Sequence, residues 1–215
     1  MQYRRATTDD IDSLIALQNS CHITNVGRNE KSDGFLNTVL PAELLRTVIN
    51  DECAVFVAEA MPVPVQQINE EQPHSDQTYT DQIQSGDAKS ESVPEIVAMA
   101  VCASWGFWSF SESLNRIAEQ LVHVPYNKGP LTQSNSYFWG PVCVSKACRG
   151  QGVFEGLFAY SLNAMQPHYP FVYTYVHTDN LRSYVAHTEK ADFVFTQHIA
   201  INGQMFCEMV RETTT

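Results

Sequence analysis

An apolar run from Asn135 to Ser145 passes through Lys146-Ala147-Cys148-Arg149-Gly150-Gln151-Gly152 straight into an amphipathic stretch that ends near Gln166. The first run reads as a strand and the second, from Gly152, as a helix. A strand handed to a helix through a glycine-containing turn is the step from which layered α/β domains are built, with a sheet inside and helices against it. The same step makes an anion site. The first helical N–H groups have no partner within the helix, and the helix dipole favours negative charge in front of them. Gly150 and Gly152 let the backbone come close to a phosphate and accept positive φ, and Arg149 adds a cation.

The flanking sequence is consistent with such a domain. Gln2 to Ala6 reads as a short strand, and Thr7 or Thr8 can cap a helix from Asp9 with Ile11, Leu14, Ile15 and Leu17 on its apolar stripe. Pro41 to Ile49 is a second short helix. Cys53 to Ala60 and Glu95 to Trp108 are expected strands, and Ser111 to Val122 a helix. After the central unit come a strand at Tyr169 to His177, a helix at Leu181 to Lys190, and two strands around Asn202-Gly203, a hairpin signal. The expectation is a mixed α/β (α+β) fold with one central sheet. The 215 residues suffice for one packed domain, so 1–215 is read as a single unit.

Residues 62–95 differ from the rest. They are rich in Gln, Ser, Asp, Glu and Pro, and their seven acids against Lys89 carry −6 of the chain's −11 net charge. Such a segment buries too little apolar surface to offset its ordering entropy, and it is expected to be an acidic, flexible hairpin insertion. With 13 Lys and Arg against that net charge, a nucleic-acid partner is not expected. No apolar run reaches the roughly 18 residues of a membrane span, and Asp9, Asp10 and Asp12 follow the N-terminus where a secretory signal would be apolar. No membrane association is expected, and the cytoplasm is the expected compartment. The six cysteines form no C-x-x-C pair, so neither a zinc site nor any other metal is expected.

Two phosphate loops can be set aside. A P-loop needs Gly-Lys-Ser/Thr where Gly152-Val153-Phe154 stands, and the dinucleotide fingerprint needs its third glycine one place before Gly156. Val144-x-x-x-x-Arg149-Gly150-Gln151-Gly152-Val153 instead resembles the acetyl-CoA motif of the GNAT (GCN5-related N-acetyltransferase) superfamily. Two further landmarks lie in order. Tyr3-Arg4-Arg5-Ala6-Thr7-x-x-Asp10 is similar to the family's opening, and Asn180 to Phe193 to its later Asn-x-x-Ser segment. Phe154 stands where the family has Gly or Ala, and Asp192 where glycine is usual.

The resemblance implies a GNAT-like central mixed sheet, largely antiparallel, of about six to seven strands. It is splayed between strands 4 and 5 and flanked by helices on both faces. It implies an acyl-CoA-dependent N-acyltransferase that moves an acetyl group from acetyl-CoA to a primary amine of a small molecule or peptide by direct attack. The alternative is a non-catalytic acyl-CoA sensor on the same fold. The cofactor would lie on Val142, Cys143, Val144, Arg149, Gly150, Gln151, Gly152, Val153 and Phe154, with Asn180 and Ser183 beside it. Tyr184 or His187 would protonate the leaving thiolate, and His177 or a water would act as base. Phe35, Trp105 and Tyr137 would line the acceptor pocket. Superfamily members often dimerise, which makes a homodimer a further expectation.

Overall fold

The computed structural model describes residues 1–27, 34–60 and 94–214. Seven strands form one sheet: β1 (Gln2–Arg5), β2 (Val55–Ala60), β3 (Glu95–Ala103), β4 (Ser136–Val144), β5 (Phe171–His177), β6 (Val194–Ile201) and β7 (Gln204–Glu212). Their order is β1-β2-β3-β4-β5-β7-β6. All neighbours are antiparallel except β4 and β5, which run parallel.

Helices α1 (Ile11–Cys21), α2 (Ala42–Glu52) and α3 (Glu112–Gln120) cover one face, where Leu14, Leu45, Trp108 and Leu114 pack with Val57, Met99, Val101 and Phe138. Helix α4 (Val153–Met165) covers the other. It buries Val153, Leu157, Phe158, Leu162 and Met165 against Phe56, Ala98, Trp139 and Met209, a spacing that keeps one side of the helix inward. Burying a side chain of this size stabilises the fold by about 1.5–3 kcal/mol. Gly156 on α4 meets β1, where an added Cβ would lie 2.1 Å from the Tyr3 hydroxyl. Close approach therefore occurs here and not at Phe154.

Local signals set the element ends. Thr7 and Asp10 form a capping box ahead of α1, and Arg4 pairs with the same Asp10 carboxylate at 2.7 Å. Ser111 caps α3 by accepting from the Leu114 N–H. The strand expected to reach Trp108 stops at Ala103. Both the N–H and the hydroxyl of Ser104 donate to Glu52 at the end of α2, which turns the chain out of the sheet. The helix expected over 181–190 is α-helical only for α5 (Leu181–Val185) and widens into a π turn at Ala186–Lys190. The Asn202-Gly203 hairpin is present, both residues at positive φ.

The expected insertion at 62–95 lies almost wholly outside the described residues. β2 and β3 pair directly, with Ala60 at the end of β2 opposite Glu95 at the start of β3. No helix among the described residues is long and apolar enough to cross a membrane.

Pairing between β4 and β5 stops early. It covers Ser136, Tyr137 and Phe138 against Phe171, Val172 and Tyr173. One step further Thr174 Oγ1 donates to the Trp139 carbonyl at 2.8 Å. Beyond that the strands diverge. Here β4 bulges on its other side, with the register to β3 shifting opposite Gly140 and Pro141. Among the described residues, the edge of β4 from Gly140 to Val144 therefore has no strand on its β5 side.

Candidate functional site

A cleft of about 300 Å³ opens beside that unpaired edge. Its walls are Val142, Cys143 and Val144 from β4, Cys148 to Gly150 and Val153 to Glu155 from the turn and α4, Phe35 and Leu36 from the segment before α2, and Asn180, Arg182 and Ser183 around α5. Gly150 and Gly152 both have φ +76°, and an added Cβ at either would meet nothing within 4 Å. The turn is closed from behind by Gln151 Nε2 donating to the Ala147 carbonyl at 2.9 Å. Among the described residues, the N–H groups of Gly150 to Glu155 have no acceptor. Several amides and the start of a 13-residue helix thus face open space where the sequence placed an anion.

Arg149 lies at the end of β4 beside the turn. Its Nε donates to the Val144 carbonyl at 3.0 Å and its Nη2 lies 3.9 Å from Cys21 Sγ, so the side chain folds against the end of β4. Arg182 and Lys190 border the same cleft, and Lys190 pairs with Glu155 at 3.8 Å. Arg182 and Lys190 belong to the Asn180–Phe193 segment of the resemblance but were not expected as site residues, and no motif in the sequence marks Cys21. Asn180 is 4% exposed and ties the walls together: Oδ1 accepts the Ser183 N–H at 3.2 Å and Nδ2 donates to the Phe35 carbonyl at 2.9 Å.

A second, smaller cavity adjoins the first through Phe35, Leu36, Val142, Asn180 and Ser183. It reaches the α1/α3 face, with Trp108, Leu114, Phe138, Tyr175, His177 and Phe206 on its walls. Among the described residues, no carboxylate lines it. Burial pushes the Tyr175 hydroxyl up to about 12, which keeps it protonated.

The candidate acids and bases are sorted by their partners. His177 stands between the rings of Phe35 and Phe206, at 5.9 and 5.1 Å. Its Nδ1 accepts the Asp179 N–H at 3.0 Å. The backbone is an obligate donor, so neutral His177 carries its proton on Nε2 and presents a donor there. That tautomer runs against its expected role as base. His187 is the reverse. Its Nδ1 lies 2.6 Å from the Ser183 carbonyl, an obligate acceptor, so Nδ1 holds the proton. Burial pulls its pKa down to about 4, and Nε2 is sealed among Trp139, Phe154 and Phe193 without a partner. A neutral ring in that state has no proton to give, which runs against its expected role as acid. Tyr184 borders neither cavity; its ring packs near Phe195, centroids 6.4 Å apart.

Two expected wall residues sit in the core. Trp105 donates its indole N–H to Ser136 Oγ at 3.0 Å and packs edge-on to Tyr173. Tyr137 is buried toward α4 beside Tyr169. Strand alternation decides this: Phe138, not its neighbour Tyr137, faces the cavity. Phe35 does line both cavities.

No family model matches the sequence, and no curated protein matches it significantly. Solved structures do match over the whole chain. A ribosomal-protein-alanine N-acetyltransferase from Brucella melitensis is 14% identical, with 99% of each chain covered and a TM-score of 0.54. A putative acetyltransferase, yncA, from Salmonella typhimurium, solved with acetyl-CoA, is 10% identical over 99% of this chain and 93% of its own, TM-score 0.55. An acetyltransferase of the GNAT family from Streptococcus pneumoniae is 12% identical over 98% of each chain, TM-score 0.53. The seven-stranded sheet, its single parallel pair and its opening at that pair, taken with these matches, give the chain the fold of the GNAT acetyltransferases.

Proposed function

We propose that the chain is an acetyltransferase that takes acetyl-CoA and a primary amine, with the diphosphate seated on the amides of Gly150 to Phe154. One observation carries the reading: N–H groups at the start of α4 that have no acceptor among the described residues, on a face left open by two glycines, adjoin a cleft that continues along the open edge of β4. That edge offers alternating N–H and C=O groups, which fit the amides of a pantetheine arm. Arg182 and Lys190 add positive charge at the mouth. The acetyl-CoA in the Salmonella structure supports the same occupant.

Acetyl-CoA supplies an acyl group activated as a thioester. The chain's part is positioning and polarisation. A β4 N–H near Val142 is placed to donate to the developing oxyanion. The inner cavity holds the amine, and its aromatic walls exclude water and disfavour the ammonium form, which lowers the demand on a base. His177 borders this space with an Nε2–H suited to hydrogen-bond the leaving sulfur, whose proton comes from the attacking amine.

That no carboxylate lines the inner wall among the described residues favours one second reading, a sensor that binds acyl-CoA without turnover. Thiol release from acetyl-CoA across a panel of amines, with coenzyme A affinity measured by calorimetry, separates the two. Turnover supports the enzyme, tight binding without turnover supports the sensor, and a folded chain that ignores coenzyme A removes both.

A further inference from the structure

A third cavity, of about 450 Å³, lies between α3 and the β6–β7 hairpin and shares no lining residue with the outer cleft or the inner cavity. Ile117 from α3 and Ile199 and Ile201 from β6 give it an aliphatic wall. The pairing of β6 with β7 sets Gln197 opposite Glu208 and Ile199 opposite Phe206, so these alternate β6 residues share a sheet face with Glu208. Glu208 borders the cavity and is 3% exposed. Its Oε1 accepts from the Tyr173 hydroxyl at 2.7 Å, and its Oε2 from the Thr196 hydroxyl at 2.7 Å and the Gln197 amide at 3.1 Å. All three donors are neutral, and among the described residues no Lys, Arg or His pairs with this carboxylate. A carboxylate offers about four acceptor positions, so one on Oε1 stays open among the described residues. A buried charge without an opposite charge is costly, and a cation beside it relieves that cost.

We propose that this cavity is a second ligand site, which binds a small aliphatic amine in its ammonium form with a neutral hydrogen-bonding group at the far end. The ammonium donates to Glu208, the one carboxylate among the described lining residues. The carbon chain lies against Ile117, Ile199 and Ile201. Gln120 and Asn202, both exposed, offer amides to the far end. Arg116 borders the cavity too, where it pairs with Glu112. A guanidinium in the wall disfavours a second ammonium and leaves a hydroxyl or an amide as the better far group. The chain's net charge of −11 draws cations to the surface, and Glu208 supplies the point of recognition. The site lies apart from the amine position in the inner cavity, so the inference does not depend on acyl transfer.

The test uses the full chain with labelled isoleucine methyl groups, followed by NMR as 4-amino-1-butanol is added without acetyl-CoA. Two probes of the same chain length, 1,4-butanediol and 4-hydroxybutyrate, replace the positive end by a neutral and a negative one. No isoleucine lines the outer cleft or the inner cavity among the described residues, so shifts at Ile117, Ile199 and Ile201 locate the binding. The amine is expected to shift these methyls saturably, with a Kd at least about tenfold below that of the diol, and 4-hydroxybutyrate should bind more weakly still. In Glu208→Gln, which retains an acceptor oxygen, the preference for the amine over the diol should vanish. Ile201→Trp fills the cavity and leaves the carboxylate in place. It should abolish the shifts at Ile117 and Ile199 while Tm changes by only a few degrees, and it decides the matter where Glu208→Gln fails to fold. Either control probe binding as tightly as the amine overturns the proposal. So do an absence of shifts at the three isoleucines and an unchanged amine affinity in Ile201→Trp.

Discussion

Two glycines separate the cost of a left-handed backbone from the cost of blocking an anion. Gly152, at the start of α4, has φ +76°, and Gly203, at the β6–β7 hairpin tip, has φ +78°; at neither would a Cβ meet anything within 4 Å. Alanine at each therefore brings the same backbone penalty and no steric clash. Left-handed geometry costs an L-residue about 1–2 kcal/mol. Part of this is offset by about 0.4–1 kcal/mol from a stiffer unfolded chain, so the net loss is about 1 kcal/mol. For a chain of this size that lowers Tm by about 2–4 °C. The two variants should melt alike. They should differ in calorimetry with coenzyme A. The Gly152 methyl stands on the open side of the turn and displaces a phosphate oxygen from an amide. Losing one charge-assisted hydrogen bond there costs about 1.5–3 kcal/mol, a roughly 10- to 100-fold weaker Kd. Gly203→Ala should bind as wild type does. Equal affinities in the two variants would refute the assignment of the turn as the diphosphate seat.

Three other outcomes are expected. His187 has its pKa lowered from 6.5 to about 4 by burial, so the unfolded chain binds the extra proton between these values. Its stabilising contribution is complete above pH 6.5 and shrinks as the pH falls toward 4, by roughly 2–3 kcal/mol between pH 7.5 and 4.5; urea titrations should show a shallower pH slope in His187→Phe. Glu208 accepts from the Tyr173 hydroxyl at 2.7 Å, the Thr196 hydroxyl at 2.7 Å and the Gln197 amide at 3.1 Å. Glu208→Leu removes the carboxylate from the Tyr173 hydroxyl and the Gln197 amide, while Thr196 keeps the residue-208 carbonyl at 3.2 Å, and should lose about 2–3 kcal/mol in the same assay. Asn180→Ala removes the α5 cap and the tie to Phe35, so coenzyme A affinity should drop severalfold while Tm falls only a few degrees. A larger drop in Tm than in affinity would make Asn180 structural alone.

The sequence was most legible where local chemistry decides structure. The 149–152 turn, the Thr7–Asp10 box, the Asn202-Gly203 hairpin and the stripe on α4 each follow from residues within a few positions of one another. The mixed sheet and its opening between the fourth and fifth strands came from the family resemblance and agree with the structure, which adds that β4 and β5 run parallel. Side-chain direction was less legible. Trp105 and Tyr137 are aromatic and near the site, yet a hydroxyl on Ser136 and the alternation of β4 place both in the core. The histidine roles turn on which nitrogen meets a backbone N–H and which a carbonyl, a fact of tertiary contact with no trace in spacing. Cys21 meets Val144 and Arg149 across more than 120 positions, beyond any local pattern.

Only three rungs join β4 to β5, so the sheet consists of two leaves on a short spine. A linear molecule laid against Gly140 to Val144 would act as a temporary strand, bridging the leaves for as long as it stays. Amide exchange along that edge would then report occupancy directly, fast when the gap stands open and slowed when a guest backbone fills it. The guest would be at once the thing recognised and the piece that completes the architecture.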